Sequence, residues 1–517
     1  MSPVNDVSQL LEVAAQESPD RLALVEADGR SLTWRQLEDE VAAVATGLGG
    51  AGVVAGHRVM LALGNRLEFV TAYLGVLRAQ AVAVPVNPRA TADELQRMAE
   101  DARPRLVVAD ATALPALRTA LAESDGRGPR VYVVGADPIG AEHSFADLVA
   151  ARPQPVPPLP DPEKLAALLY TSGTSGRPRA AMLTHRALLA DIEKVAAVEP
   201  PMIHGDDVVL GVVPLFHVYG LNAVLGSVLR HRAKLLLVEH WDPRAVLDVI
   251  EDEACSVVPV APPAFAHWLP MEDLADRLGP VRLVLSGSSP LQPEVIDAFT
   301  AATGIPVHQG YGLTEAAPVV TSTLCSERLQ TGSVGAALPG IELRLVDEAG
   351  DVVEGEDPGE IWVRGDNLFS GYWPAGSDGP DEEGWWATGD VGFLDPSGDL
   401  FLVDRIKELV IVSGFNVYPS EVEDVIREVA GVREAAVIGV ADEHTGEAVV
   451  AYVVPAADVD AAMLAEAVRD HVATRLARFK QPTRLEVVDE LPLTATGKVQ
   501  KGRLRGIERR RALGILE

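Results

Sequence analysis

The chain has 517 residues, of which 48% are hydrophobic and 23% charged, and its 44 basic and 75 acidic residues give a formal net charge of -31. This length predicts two or more domains, and the composition excludes a disordered or collagen-like chain. The acidic excess disfavours broad adhesion to nucleic acid or to anionic lipid.

Strand-like runs alternate with helical patterns in the first part of the chain. Between residues 21 and 133, the apolar runs LALVE, RVMLAL, AVAVPV and PRLVVAD are separated by helical patterns such as those at 33–48 and 68–77. This alternation predicts a parallel α/β sheet. The proline-rich stretch 151–164 then predicts an extended connector, which leads into the strand LAALLY.

The α/β alternation resumes between residues 208 and 306, with strands predicted at LLLVE, CSVVPV and VRLVLSG. Within this part, the apolar run 211–229 approaches the roughly 20 residues that a membrane-spanning helix needs. It contains Pro214, His217, Asn222 and three glycines. These residues favour a buried segment that lines a site over a helix that faces lipid.

Short strands and turns replace the helices beyond Gly332, as in GEIWVRG and GDLFLVD, and they predict a small β-barrel or sandwich. After Arg405, a helix at 420–429, the strands EAAVIGV and AVVAYVVP and a second amphipathic helix predict a small α+β domain. The basic run QKGRLRGIERRR, which starts at Gln500, is expected to form a solvated helical tail.

The stretch that follows LAALLY has the composition of a phosphate-binding loop. Its hydroxyl groups and unobstructed backbone N–H groups lie just before a helical pattern, where they can surround a polyphosphate. The residues of this loop are Thr171, Ser172, Gly173, Thr174, Ser175 and Gly176. A Walker loop needs Gly-Lys-Ser/Thr, so kinase and P-loop ATPase chemistry are disfavoured. Arg179 supplies the positive charge instead.

Six motifs follow one another in a fixed order along the chain. They are YTSGTSGRPRA at 170–180, PLFHVYG at 214–220, YGLTE at 311–315, TGD at 388–390, DRIKELVIVSGFNVYPSEVE at 404–423 and LPLTATGKVQK at 491–501. Together they resemble the signatures of the adenylate-forming acyl-CoA synthetases, and the resemblance covers essentially the whole chain. Arg179 and Ala180 depart from the lysine and glycine of the family's first motif.

The resemblance implies an α/β fold with two domains. A large N-terminal AMP-binding domain, 1–403, would contain two α/β subdomains and a β-barrel subdomain, and a small mobile α+β domain would occupy 404–517. The implied reaction converts a carboxylic acid and ATP into acyl-AMP and pyrophosphate, and then transfers the acyl group to CoA with release of AMP. ATP, Mg²⁺ and CoA are the implied cofactors and co-substrates.

Roles for individual residues come with the resemblance. Tyr311 is expected to stack on adenine, and Thr314 to bond a phosphate oxygen. Glu315, together with Thr171, is the expected Mg²⁺ ligand. Lys498 is expected to bridge the acyl carboxylate and the α-phosphate as charge builds during adenylation. The family's further binding positions map onto Ser172, Gly173, Thr174, Ser175, Gly176, Arg179, Ser288, Gln309, Gly310, Gly312, Asp390, Arg405, Lys407 and Gly414.

Some of these positions carry more specific expectations from the resemblance. Asp390 matches the acceptor of both ribose hydroxyls, and Arg405 matches a nucleotide-binding arginine. Lys407 stands at the family's hinge, and Gly414 lies beside the narrow path of the CoA pantetheine arm. His217 is expected to border the acyl pocket and the reacting carboxylate, and not to act as a general base.

The sequence also reduces the number of candidate acyl acceptors and candidate acids. No insertion of the kind found in carrier-protein-loading relatives lies between residues 402 and 419, so CoA is the expected acceptor. The segments expected to line the acyl pocket are 218–225, 260–265, 286–289 and 309–319. Because they are mainly apolar and small, a medium- or long-chain fatty acid is predicted first.

Three alternatives stay open. Malonate would need a cation in the pocket, for which Arg230 and Arg232 are candidates, although both are more readily explained as solvated loop residues. An aryl acid is the second alternative. The third is a catalytically weak acyl- or nucleotide-binding homologue, which the altered Arg179-Ala180 pair suggests and the retained Lys498 argues against.

The expected cellular location of the protein follows from the absence of metal-ligand cysteine spacing and of a signal-peptide pattern. Cys255 and Cys325 lie in apolar surroundings without metal-ligand spacing, and the first residues show no basic region followed by an apolar core. A cytoplasmic protein without a transmembrane segment is therefore expected. The expected partners are a small carboxylic acid, ATP and CoA, but no nucleic acid, and a homodimer is an open alternative to a monomer.

Overall fold

The computed structural model describes most of the chain, which divides into two compact units. The described residues are 4–122, 128–157, 161–171, 179–289, 291–347, 349–353, 357–405, 408, 410–412, 415–442, 446–457, 459–476, 478–494 and 497–512, without the side chains of 404, 405, 411, 415, 416, 446, 509, 510 and 512. Unit 1 comprises Met1–Thr171, Pro178–Glu342 and Val363–Trp386, and unit 2 comprises Ser172–Arg177, Leu343–Trp362 and Ala387–Glu517.

Two seven-stranded sheets dominate unit 1. The strands are β1 (Leu22–Glu26), β2 (Ser31–Thr33), β3 (Arg58–Ala62), β4 (Val82–Pro85), β5 (Leu106–Asp110), β6 (Arg130–Val134), β7 (His143–Ser144), β8 (Leu165–Thr171), β9 (Arg179–Thr184), β10 (Val208–Gly211), β11 (Lys234–Leu237), β12 (Val257–Val260), β13 (Leu283–Ser286), β14 (Val307–Gln309), β15 (Thr321–Ser322) and β16 (Ala336–Ala337). One sheet has the order β7-β6-β5-β3-β4-β8-β9 and the other β14-β13-β12-β10-β11-β1-β2, while β15 and β16 pair separately.

Helices connect these strands. They are α1 (Gln9–Glu17), α2 (Trp34–Gly50), α3 (Leu67–Arg78), α4 (Ala92–Ala102), α5 (Leu114–Leu121), α6 (Ala146–Val149), α7 (His185–Ala196), α8 (Ser227–His231), α9 (Pro243–Asp252), α10 (Pro263–Trp268), α11 (Leu274–Arg277) and α12 (Pro293–Thr303). The N-terminus of α2 shows how the sequence fixes a boundary. The Thr33 side chain accepts from the Gln36 amide, and the Gln36 side chain accepts from the Thr33 amide, which is a capping box.

One strand is placed differently from the prediction. LALVE, which is β1, was expected in the same sheet as the next three strands, but it pairs in parallel with β11, with Leu24 opposite Leu235. An apolar run fits the interior of any parallel sheet, so strand composition alone does not select between the two sheets. The two α/β layers themselves form as predicted.

The run 211–229 does not form one long helix. After β10 it contains a π-helical segment, Tyr219–Gly226, followed by the five-residue α8. Leu221, Val224 and Leu225 of this segment are buried. None of the helices in the described part of the chain combines the length and the apolarity required to cross a bilayer.

The rest of the chain holds two smaller sheets. Its elements are β17 (Glu342–Val346), β18 (Gly359–Arg364), β19 (Trp385–Leu394), β20 (Leu400–Arg405), β21 (Val410–Val412), β22 (Phe415–Val417), α13 (Pro419–Arg427), β23 (Val432–Asp442), β24 (Gly446–Pro455), α14 (Ala461–Arg475), β25 (Arg484–Val487) and α15 (Lys501–Ala512). A four-stranded sheet, β17-β18-β19-β20, forms where a barrel or sandwich was predicted. The second sheet has the order β22-β21-β24-β23, with β25 beside β24.

The basic tail is helical, but it is not simply solvated as predicted. Lys501, at the start of α15, lies with its Nζ 2.9 Å from carboxylate oxygens of both Glu408 and Glu423. Further along, Arg511 Nη1 lies 2.5 Å from Glu486 Oε1, which belongs to β25. A buried carboxylate needs a cation or hydrogen-bond donors, so these basic residues anchor the helix to its own unit.

Candidate active site

Five of the predicted nucleotide-binding residues of unit 1 lie at one edge of a sheet; they are Ser288, Gln309, Gly310, Tyr311 and Gly312. Strands β10, β12, β13 and β14 are parallel neighbours, so their carboxyl ends meet at the same edge. Ser286, the last residue of β13, lies opposite Gln309, the last residue of β14. The loops that begin with Gly287 and Gly310 therefore leave the sheet side by side. Open α/β sheets bind ligands at such an edge.

The segment YGLTE is a tight turn that needs its glycines. A Cβ on Gly310 would lie 2.6 Å from the Thr321 carbonyl oxygen, and one on Gly312 would lie 2.4 Å from the Pro318 carbonyl oxygen. The Tyr311 amide donates to the Thr321 hydroxyl at 3.2 Å, and the Tyr311 side chain is 7% exposed. The backbone approach thus fixes Tyr311 at the edge of the sheet.

The loop after β13 is held in an uncommon conformation. Ser288 has a φ of 76°, in the left-handed region that disfavours side chains other than glycine. Its hydroxyl is buried and has no hydrogen-bond partner among the described residues. Gln309 stabilises the neighbouring chain, because its Oε1 accepts from the Leu291 amide at 3.1 Å. Strain and an unsatisfied hydroxyl at a sheet edge are typical of a binding loop.

Glu315 is held by a residue that the sequence did not single out. It lies in the one-turn 3₁₀ helix Thr314–Ala316, and its side chain is 8% exposed. The hydroxyl of Tyr372 donates to Glu315 Oε1 at 2.5 Å, and the Phe369 amide donates to the Glu315 carbonyl at 2.8 Å. Tyr372 lies in no motif considered above, so no sequence signal pointed to this contact.

Arg179 joins the same cluster from the other sheet. Its guanidinium carbon lies 3.6 Å from the centre of the Tyr372 ring, and its Nη2 donates to the Asp378 carboxylate. Arg179 begins β9, directly opposite Thr171 at the end of β8. The ends of the predicted phosphate loop are therefore fixed, while Ser172, Gly173, Thr174, Ser175 and Gly176 lie outside the described residues.

His217 lies between β10 and the π-helical segment. The Tyr219 amide donates to His217 Nδ1 at 3.3 Å, so the proton of the neutral ring is on Nε2. A Cβ on Gly220 would lie 2.3 Å from the Pro214 carbonyl oxygen, which requires glycine there. The ring of Tyr219 packs on Gly287, where a Cβ would come within 3.0 Å of it. The motif thus brings His217 and Tyr219 to the edge that carries Ser288.

Asn222 and Asp191 form a buried polar pair next to this motif. Asn222 lies in the predicted pocket-lining segment 218–225, whereas Asp191 was not among the predicted site residues. Asn222 Nδ2 donates to the carbonyls of Leu188 at 3.0 Å and Ala317 at 2.6 Å. The Val319 amide donates to Asp191 Oδ1 at 2.9 Å. These bonds tie α7, the π-helical segment and the chain after Glu315 to one another. Burial raises the pKa of Asp191 well above its ordinary value of 3.8, although the Val319 bond opposes the shift.

Asp191→Asn is expected to remove a pH-dependent loss of stability. Since the pKa of Asp191 is raised in the folded state, its contribution is fully present below the unfolded pKa and is lost as the pH rises through the folded pKa. The unfolding midpoint of the variant, relative to wild type, should therefore rise as the pH is raised above the ordinary pKa of an aspartate, 3.8. Thermal unfolding at several pH values measures this difference, and a pH-independent difference would contradict it.

In unit 2, two of the predicted nucleotide-binding residues are cross-strand partners. Asp390 of β19 lies opposite Arg405 of β20, whose side chain is outside the described residues. Asp390 is 6% exposed, and its amide donates to the Thr388 hydroxyl at 3.1 Å. Gly389 has a φ of 76°, which a glycine adopts without strain. The Thr-Gly-Asp turn therefore presents Asp390 from a fixed position.

Lys498 follows a closed turn in the same unit. The Lys498 amide donates to the Thr494 hydroxyl at 3.0 Å, and the Thr494 amide donates to the Lys498 carbonyl at 2.7 Å. The ion-paired Lys501 anchors the helix that comes next. Lys501 belongs to the quoted motif LPLTATGKVQK, but no role was predicted for it. Lys407 and Gly414 lie outside the described residues.

The Glu315 carboxylate fits a hard cation such as Mg²⁺. Among the residues that the structure describes, no group of three or more His, Cys, Asp or Glu side chains is arranged to hold a metal ion. Mg²⁺ in nucleotide enzymes is usually held by one or two carboxylates together with substrate phosphates. Glu315, a buried carboxylate oriented by the Tyr372 hydroxyl, fits this smaller donor set.

Comparison with protein families decides the class. Residues 11–373 match the AMP-binding enzyme family, and residues 421–498 match the AMP-binding enzyme C-terminal domain. The chain belongs to the adenylate-forming superfamily of acyl-CoA ligases. Common descent within this family explains why the six motifs follow one another in a fixed order.

Relatives with known names cover nearly the full chain. It is 34% identical to 4-coumarate--CoA ligase-like 9 of Oryza sativa subsp. japonica, over 95% of this chain and 90% of that protein. It is 31% identical to the long-chain-fatty-acid--CoA ligase of Bacillus subtilis (strain 168), over 97% of this chain and 94% of that protein. ATP-bound MatB from Rhodopseudomonas palustris aligns with a TM-score of 0.87 at 32% identity, covering 98% and 99% of the two chains.

These findings confirm the predicted family and the predicted α/β fold class, with a large N-terminal and a small C-terminal domain. At the level of reaction class they support an AMP-forming acid–CoA ligase, and the ATP-bound relative supports ATP as the nucleotide. The domain boundary at residue 403, the individual residue roles, Mg²⁺ and a homodimer stay predictions. The two curated relatives are named for different acids, 4-coumarate and a long-chain fatty acid.

Proposed function

We propose that this adenylate-forming ligase activates a medium- or long-chain fatty acid as acyl-AMP and transfers the acyl group to CoA. In the first step a carboxylate oxygen attacks the α-phosphorus of ATP and pyrophosphate leaves. In the second step the CoA sulfur attacks the acyl carbonyl carbon and AMP leaves. Adenylation is needed because a carboxylate oxygen is a very poor leaving group, whereas AMP is a good one.

The observation that carries this proposal is the set of groups at the carboxyl edge of the β10–β14 strands. His217, the strained Ser288 loop and the Tyr311 turn meet at that edge. Glu315, one turn further on, is oriented from the other side by Tyr372. An adenine, a polyphosphate and a carboxylate can all be contacted from one such edge.

We assign the following roles to the described residues of the two units. Tyr311 stacks on adenine, and Ser288 offers a buried hydroxyl. Asp390 accepts the ribose hydroxyls, and Lys498 stabilises the charge that develops between carboxylate and α-phosphate. Glu315 would hold Mg²⁺, which would supply positive charge to the phosphate oxygens.

The apolar segment 218–225, which is expected to form a wall of the acyl pocket, supports an apolar acid. The ring of Tyr219 lies against Gly287, and burial raises the pKa of this tyrosine, so the ring presents a neutral surface. Neighbouring Val218 and Leu221 are buried. A hydrocarbon chain loses nothing by contact with such a wall and gains by leaving water.

The candidate cations for a dicarboxylic acid are already paired on the surface. Arg230 Nε lies 2.7 Å from Glu193 Oε1, and Arg232 Nε lies 3.4 Å from Glu17 Oε2. Both arginines are partly exposed, so each forms an ordinary surface ion pair. This arrangement argues against malonate as the preferred acid.

A hydroxylated aryl acid is the second candidate, because one observation favours it. The hydroxyls of Ser286 and Ser288 flank Gly287, and both are buried without a hydrogen-bond partner among the described residues. A ring hydroxyl could satisfy one of them, and several similar ligases are named for 4-coumarate. The chain of a fatty acid carries no group that could hydrogen-bond to either hydroxyl.

A panel of acids distinguishes these substrates. AMP release by the purified protein with ATP and CoA should be compared for saturated acids from two to sixteen carbons, malonate, cinnamate and 4-coumarate. We expect kcat/KM to rise with chain length to a medium- or long-chain optimum at least about tenfold above cinnamate. An optimum at 4-coumarate would replace the fatty acid by the aryl acid. An optimum at malonate would refute both.

A further inference from the structure

We propose that Tyr372 is a positioning residue for nucleotide binding, which joins the phosphate-loop arginine Arg179 to the Mg²⁺-ligand candidate Glu315. The inference rests on the proposed function, because the task it gives Tyr372 is to prepare both residues for ATP. It goes beyond the family motifs, in which Arg179 and Glu315 stand in separate segments.

Backbone hydrogen bonds hold Tyr372 in place independently of its side chain. Tyr372 forms a β-bridge with Ala181 of β9, and its amide donates to the Ser377 carbonyl at 2.9 Å. Its own carbonyl accepts from the Gly376 amide at 2.8 Å. At Gly371, with a φ of 88°, a Cβ would lie 2.2 Å from the Gly376 carbonyl oxygen. This closed loop places the tyrosine directly beside β9.

The hydroxyl group of Tyr372 sets the direction of the Glu315 carboxylate. It donates to Glu315 Oε1 at 2.5 Å, and the Phe369 amide donates to the Glu315 carbonyl at 2.8 Å. Groups that orient a metal ligand in this way typically change metal affinity or activity about 10- to 100-fold when they are removed.

The ring of Tyr372 supports the guanidinium of Arg179. The guanidinium carbon lies 3.6 Å from the ring centre, and Nη2 donates to Asp378, whose side chain is 68% exposed. A planar guanidinium stacks on an aromatic face better than a lysine ammonium does. The arginine that replaces the family's lysine is therefore matched to this tyrosine, which holds it at the end of the phosphate loop.

Binding of a non-hydrolysable nucleotide tests the two contacts separately. The dissociation constant of α,β-methylene-ATP should be measured by calorimetry, with and without Mg²⁺, for wild type, Tyr372→Phe, Tyr372→Leu and Arg179→Lys. In Tyr372→Phe, which keeps the ring, we expect the gain in affinity from Mg²⁺ to fall about tenfold, with little change in its absence. In Tyr372→Leu and Arg179→Lys, we expect weaker binding under both conditions.

Tyr452→Phe is the matched control. Its hydroxyl also donates to a buried glutamate, Glu508, but in unit 2. This change should leave the Mg²⁺-dependent gain unaltered, because it removes the same kind of hydrogen bond elsewhere. Thermal unfolding of each variant shows whether it is folded, and if Tyr372→Leu is not, Tyr372→Phe and Arg179→Lys still decide the matter.

The outcomes separate this inference from the proposed function. If wild type binds the nucleotide and the Mg²⁺-dependent gain of Tyr372→Phe equals that of wild type, the role of Tyr372 is refuted while the ligase proposal stands. If wild type does not bind the nucleotide with or without Mg²⁺, both are refuted. A lowered unfolding midpoint with an unchanged gain would make Tyr372 a structural residue only, which also overturns the inference.

Discussion

Lys498→Ala is expected to reduce acyl-AMP formation by about two to three orders of magnitude and to leave thioester formation from supplied acyl-AMP within about threefold of wild type. The reason is that negative charge builds on the α-phosphate and carboxylate oxygens during adenylation, where an ammonium group stabilises it. In the second step the carboxylate and the α-phosphate are already joined in acyl-AMP. The CoA sulfur then attacks a neutral carbonyl carbon. The two half-reactions should be measured separately, by pyrophosphate release and by thioester formation.

The control for this variant is Lys480→Ala. Lys480 lies in the same unit, with its Nζ 2.6 Å from Glu421, so its loss removes a charge and an ion pair of that unit. We expect both half-reactions of Lys480→Ala to stay near wild type. Equal losses in both half-reactions of Lys498→Ala would refute the assignment of this lysine to the first step.

Glu315→Gln is expected to lower adenylation by about two orders of magnitude without unfolding the protein. The amide oxygen can still accept the hydrogen bond that Tyr372 donates to Oε1, so the local structure is preserved. What is lost is the negative charge that a divalent cation requires. Nucleotide binding should therefore lose its dependence on Mg²⁺, which calorimetry can measure alongside pyrophosphate release.

Glu342→Gln provides the comparison. This carboxylate, 58% exposed, pairs with Arg364 within unit 1 and belongs to no motif. Its neutralisation should leave both adenylation and the effect of Mg²⁺ unaltered. If Glu315→Gln retained full adenylation and the full effect of Mg²⁺, Glu315 would not be the ligand, and the metal assignment would have to move elsewhere.

The sequence predicted local structure well because local rules decide it. The helix that starts at Trp34 follows a capping box, and the glycines of YGLTE lie where the chain approaches itself. The motifs at 214–220 and 311–315 follow strands, so parallel pairing brings them to one edge. This common edge depends on the direction of the strands and not on their exact order.

Contacts between distant segments could not be read in the same way. The pairing of β1 with β11 depends on which of two equally apolar sheets it completes. Tyr372 reaches Glu315 because the chain near residue 371 hydrogen-bonds to β9, far away in sequence. A lone tyrosine after a glycine carries no periodicity and no spacing that would indicate such a contact.

The claim that this chain forms acyl-AMP is tested most directly by ATP–pyrophosphate exchange in the absence of CoA. Radiolabelled pyrophosphate should enter ATP only when a suitable acid is present, because exchange requires reversible formation of the acyl adenylate. The account predicts exchange with medium- or long-chain fatty acids and its loss in Lys498→Ala. If the protein bound ATP but showed no exchange with any acid of the panel, it would be a nucleotide-binding homologue and not a ligase.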